Sequence, residues 1–261
     1  MPSRREFLAH GLGAVVSLSP LTRPSLRSGR FRKRLIVLFQ RGGADGLHMI
    51  VPHAEAAYDR CRPTIAVPGP GSDGGAIDLD GFFGLHPALA PLHALYRRRL
   101  LAVVHACGLP AQARSHLEAQ EAVESMLARL AGSAPRPQVT VVENRGWDCH
   151  ARQGGADGQL AERLGEFARR IVALTGRGGE SLGDSVIVTL SEFGPSVREN
   201  AEGGTEHGNG QAMLVIGSGL TGGRVHGTWP GLEFDGPGLT ATTDVRDLLG
   251  RIVAGRTDLQ S

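Results

Sequence analysis

Short apolar runs alternate with longer stretches of helical period along most of this chain. Residues 35–39, 100–105, 139–143, 186–190 and 212–216 are brief and rich in Val, Ile and Leu. Such runs read as strands buried on both faces. Between them apolar residues recur every three or four positions. Leu85, Leu89, Leu92 and Leu95 form one stripe, and Leu160, Leu164, Phe167, Ile171 and Leu174 another. Residues 116–130 form a further helix, and a last one begins near Thr243 with Val245, Leu248, Leu249, Ile252 and Val253 inward. Strands alternating with helices predict an α/β domain with a doubly wound, mainly parallel sheet. The Pro/Gly-rich residues 52–80 read as a surface excursion with a short edge strand at 77–80, and 131–138 as a Pro-rich linker.

The polar residues just after these strands change the picture. In an open α/β sheet, ligands bind outside the carboxyl ends of the strands. Asp45 follows the first strand behind Gly42 and Gly43, Asp148 and His150 follow the third, and Glu192 follows the fourth. His207 stands on the next loop among Gly203, Gly204 and Gly210. An acid and an imidazole two residues apart share one face of an extended segment. Carboxylates and imidazoles gathered at strand ends suit zinc, manganese or another divalent ion. Asp45 reads equally as a turn aspartate bonding its own backbone. No Gly-Lys-Ser/Thr follows the Gly-Gly turn, so it is not a phosphate-cradling loop. Ser115 and Glu118 have capping-box spacing, yet a helix N-terminus also favours anions, so Ser115 and His116 are candidates for either role. His226 is a further candidate imidazole, whereas His86 and His93 read as packing or capping residues.

Charge and composition narrow the function classes. Lys and Arg number 28 against 26 Asp and Glu, and six of the basic residues lie between Arg23 and Arg34. The remainder offers no basic face for a nucleic acid. Ser3-Arg4-Arg5-Glu6-Phe7-Leu8 and the weakly apolar residues 11–18 resemble a twin-arginine export signal, too short to span a membrane stably. Residues 1–33 are therefore expected to be a signal and basic linker, and 34–261 a single α/β domain. The three cysteines, Cys61, Cys107 and Cys149, allow one disulfide or none.

These residues resemble the exported DUF1501 proteins. The matching stretches are 41–46 (Arg-Gly-Gly-Ala-Asp-Gly), 82–87 (Phe-Phe-Gly-Leu-His-Pro) and 114–116 (Arg-Ser-His), with Gly146-Trp147-Asp148 and His150. They continue through 191–194 (Ser-Glu-Phe-Gly), 198–200 (Arg-Glu-Asn), Gly204-Thr205 with His207-Gly208, 223–225 (Gly-Arg-Val) and 229–231 (Trp-Pro-Gly). That family looks similar to the alkaline phosphatase and sulfatase superfamily, which holds one or two divalent metals at strand ends and cleaves phosphate or sulfate esters. The resemblance implies an alkaline phosphatase/sulfatase-like fold with a shortened middle region, a segment being missing near 131–138. It implies Asp45, Asp148, His150, Glu192 and His207 as ligands of a divalent metal (zinc, manganese or calcium). Ser115 is the implied nucleophile, and Ser115 and His116 are the expected catalytic residues. A small-molecule or polymeric ester would be the substrate, the twin-arginine machinery the export partner, and the periplasm or exterior the destination. The alternative is a non-catalytic exported binding protein that retains the fold, with or without a structural ion. Glu206 stands where the family usually has aspartate, and Pro195 where it usually has arginine.

Overall fold

Three strands pairing in parallel register set the frame of the molecule. The computed structural model describes residues 15–17, 34–109, 115–133, 137–176, 178–233, 236, 238–256 and 258–259. The twin-arginine motif at residues 3–8 and residues 134–136 of the linker lie outside them. The elements in chain order are β1 (Val15–Ser17), β2 (Arg34–Arg41), α1 (Gly46–Met49), β3 (Ile50–Val51), α2 (Tyr58–Cys61), β4 (Ile77–Asp78) and β5 (Gly84–Leu85). A 3-10 turn (Pro87–Leu89) leads into α3 (Ala90–Arg97), β6 (Leu101–Gly108), α4 (His116–Gly132), β7 (Gln138–Arg145) and α5 (Gln159–Thr175). Then come β8 (Ser185–Ser191), β9 (Gly194–Glu199), β10 (Thr205–Gly208), β11 (Gln211–Ile216), β12 (Val225–His226), β13 (Thr243–Asp244) and α6 (Val245–Val253).

The central sheet runs β1-β7-β2-β8-β11-β6-β12, with β13 also on β6. All run one way except β1 and β11, which are antiparallel to their neighbours. The sheet is thus mainly parallel, as the alternating pattern predicts. β6 points the same way as β2 but does not pair with it, because two strands, β8 and β11, stand between them. Val15–Ser17, inside the expected signal, form an edge strand on β7. A β3-β5-β4 sheet and a β9-β10 hairpin stand apart from the main sheet.

Helices cover both faces, because alternate residues of the buried strands point to opposite sides. Leu38, Val103, Val142 and Leu214 meet Leu92 and Leu95 of α3 and Leu160, Leu164, Phe167 and Ile171 of α5. Val37, Val104, Val139, Val188 and Met213 meet Val123 and Leu127 of α4 and Leu248, Leu249 and Ile252 of α6. The helix expected over 85–96 begins later, at Ala90. Leu85 is drawn into β5, and His86 caps the 3-10 turn by accepting from the Ala88 amide at 3.0 Å. All three cysteines are free thiols. Among the described residues, no helix is long and apolar enough to cross a membrane.

Two wholly enclosed histidines give this core a sign in pH. Burial holds the pKa of His48 and of His105 down to about 4. Below about pH 6.5 the unfolded chain protonates both imidazoles while the folded chain keeps them neutral. Stability is therefore complete above that pH and falls as pH drops towards 4, each residue contributing about 3 kcal/mol across the window. Urea unfolding at a series of pH values is expected to show this slope, and His105→Gln to flatten it. A stability constant from pH 7 to 5 would contradict it.

Candidate metal centre

Register brings the strand ends level. Gln40 and Arg41 of β2 lie beside Asn144 and Arg145 of β7, and Gln40 beside Ser191 of β8. The loops that follow therefore open at one rim of the sheet. Gln211, at the start of antiparallel β11, lies opposite Cys107, so the β6 exit and the β10–β11 turn reach the same rim.

Four side chains converge there. His116 Nε2 and His207 Nε2 are 3.0 Å apart. Asp148 Oδ1 is 2.8 Å from His150 Nε2 and 3.6 Å from His207 Nε2, and Asp148 Oδ2 is 4.0 Å from His116 Nε2. His116, Asp148 and His207 offer donor atoms all within 4.8 Å of one another, and the His150 ring stands 4.6 Å from that of His207.

Partners outside the group orient these rings. His116 Nδ1 lies 3.2 Å from Glu192 Oε1, and His150 Nδ1 lies 2.7 Å from the carbonyl of Thr205. A carboxylate and a carbonyl can only accept, so each Nδ1 is the donor of these two contacts and each Nε2 faces the group, where its lone pair would be the one offered to an ion. Burial, followed by the facing imidazoles of His116 and His150, holds the His207 pKa below its ordinary value. A neutral ring is the form that donates to a metal. Facing donor atoms 2.8 and 3.0 Å apart are held together either by a ring proton between them or by a cation that takes its place. The residues therefore fit a metal ion.

The sequence-derived candidates divide. Asp148, His150 and His207 meet, as their strand-end positions suggest. His116 joins them as a nitrogen donor, a role its place at the start of a helix did not single out. Glu192 stands one step back: its Oε1 accepts from the Gly42 amide at 2.8 Å as well as from His116, and the side chain is buried. Asp45 turns away. It caps α1 by accepting from the His48 amide, and Oδ2 accepts from Arg62 at 2.7 Å and from Gln153 at 2.8 Å. Burial pushes the Asp45 pKa up, but Arg62 and the other partners outweigh it and hold the carboxyl ionised, below its ordinary value. Ser115 caps α4, its Oγ accepting from the Glu118 amide at 3.2 Å. His226 is buried elsewhere, with Nε2 on the Thr221 carbonyl.

The His207 ring sits between Phe193, stacked on it at 4.8 Å, and the backbone of Gly43. Gly43 has φ +88, and a Cβ there would lie 2.8 Å from His207 Nδ1. Gly43→Ala is expected to displace His207 and weaken metal binding at least about 10-fold, the scale of disturbed outer support. Titration of the metal-free protein with zinc checks this, and unchanged affinity would count against the packing argument.

No curated protein and no solved structure matches the chain. A family described as a protein of unknown function (DUF1501) matches over residues 105–255, a span that contains His116, Asp148, His150, Glu192 and His207. The chain therefore belongs to the DUF1501 family.

Proposed function

We propose that this protein is an exported metal-dependent hydrolase of phosphate or sulfate esters, related in fold to the alkaline phosphatases and sulfatases. The observation that carries the reading is the meeting of three imidazoles and one carboxylate at the sheet rim, from the start of α4, the loop after β7 and strand β10. Three nitrogen donors favour zinc or manganese over calcium, which takes oxygen ligands. A divalent ion bound there supplies positive charge to a developing oxyanion and makes an oxygen nucleophile more acidic.

The protein's own groups supply the rest. The N-terminal turn of α4 presents positive helix-dipole charge beside His116, which favours an anionic ester group. Ser115 Oγ accepts from Glu118 yet keeps its own proton to give up, so it remains the candidate nucleophile. Glu192 holds His116 in the tautomer that faces the group. Export to the periplasm or exterior is proposed from Arg4-Arg5 and the Phe-Leu that follows them.

The second reading is a non-catalytic exported protein that keeps an ion and binds a partner or polymer. The capping bond of Ser115 favours it, since that bond explains the residue without chemistry. Elemental analysis of protein purified without chelator, followed by a screen of aryl phosphates and sulfates, separates the two. Stoichiometric metal with turnover that falls at least about 100-fold in Ser115→Ala supports the hydrolase. Stoichiometric metal with no turnover of either ester class supports the binding protein.

A further inference from the structure

The Asp45 carboxylate begins a buried chain of polar contacts that ends at the metal centre. Arg62 is wholly enclosed, with Nε on the Val197 carbonyl, Nη2 on the Ser196 carbonyl and Nη1 on Asp45 Oδ2. The same oxygen accepts from Gln153 Nε2 at 2.8 Å. Gln153 is also wholly enclosed, its Oε1 accepting from Thr205 Oγ1 at 3.3 Å and its amide donating to the Gly203 carbonyl at 2.8 Å. Thr205 in turn donates its amide to the Cys149 carbonyl at 3.2 Å, and its own carbonyl accepts from His150 Nδ1.

We propose that Gln153 is a positioning residue for the centre: it couples Thr205, and through it the tautomer and direction of the His150 ring, to the buried Asp45–Arg62 pair. A primary amide suits this place. One end must donate to a carboxylate and the other must accept from a hydroxyl, and glutamine does both without charge. Glutamate would set a second anion against Asp45, and methionine would leave the Thr205 hydroxyl without its acceptor. In this way an acid at the exit of β2 bears on a ligand at the exit of β7 without touching it. The functional meaning rests on the metal-centre reading.

The test has two readouts, both on the full chain. The first is the His150 ring in metal-free protein at alkaline pH, followed by long-range proton–nitrogen NMR. The second is cobalt(II) titration followed by visible absorption. In the wild type we expect His150 to be held as the Nδ1–H tautomer and cobalt to bind. Gln153→Met is expected to mix the two tautomers, shift the cobalt bands and weaken cobalt binding about 10- to 100-fold, the range for outer support of a metal ligand. Thr205→Val deletes the hydroxyl at the other end of the same link and carries the test if Gln153→Met fails to fold. A folded variant of either kind with an unchanged His150 tautomer and unchanged cobalt spectrum overturns the positioning role. A fixed tautomer that the variants disturb, in a wild type that takes up no cobalt, supports the positioning role and overturns the metal-centre reading.

Discussion

His116→Ala is expected to lose metal about 100-fold or more, while Glu192→Gln loses it about 10- to 100-fold. The first figure follows from sharing an affinity of about 10–16 kcal/mol among four donors, which gives about 3 kcal/mol for each. The second is the usual cost of disturbing a group that orients a ligand. The ranking separates the geometry from the simpler assignment in which every strand-end acid binds the ion. His116 Nε2 faces His207 and Asp148, whereas Glu192 faces His116 and an amide. Asp148→Ala should behave like His116→Ala, and Asp45→Asn should cost clearly less than either, because its partners are Arg62 and Gln153 and it bears on the group only through them. Competition titrations with a chromophoric chelator give all four constants. If Glu192→Gln costs more than His116→Ala, Glu192 is itself the ligand and the four-donor group is wrong.

Arg62→Met should destabilise the fold by about 3–5 kcal/mol, the penalty for stranding a buried charge. The guanidinium is fully enclosed and satisfies Asp45 together with two carbonyls of β9. Removing it leaves the Asp45 carboxylate with only neutral partners in a site that excludes water. The damage should therefore depend on Asp45. Asp45→Asn in the same background keeps a good helix cap and removes the charge, so it should recover much of the loss. Urea unfolding of the wild type, both single variants and the double variant measures the coupling. A double variant less stable than Arg62→Met would mean that the three hydrogen bonds, rather than the stranded charge, dominate.

Much of this was legible in the chain. The buried runs announced the strands and the stripes announced most helices, because burial on both faces of a sheet leaves few polar positions. Asp148, His150 and His207 were legible as a group, since strand ends in such a sheet face one rim. His116 was harder: a histidine after a capping serine looks like any helix opening, and its ring reaches the group only because β6 lies where β11 places it. Asp45 was misleading for a related reason. A strand-end acid looks the same whether it faces an ion or an arginine, and Arg62 lies in a Pro/Gly-rich stretch with no periodicity to predict its fold. Glu192 falls between the two, at the right rim but held back by the Gly42 amide.

The position of β6 also sets an order of assembly. It pairs with β11, β12 and β13 and with no other strand among the described residues, and all three lie later in the chain. Residues 101–108 thus leave the ribosome about 100 residues ahead of their first partner. At a synthesis rate of about 5–20 residues per second, a strand destined to be wholly buried waits roughly 5–20 s unpaired. His207 is made only four residues before β11 begins, so the last donor of the group and the strand that closes the sheet emerge together. A nascent chain halted before residue 211 would expose β6 as a site for chaperone capture and could not yet enclose an ion.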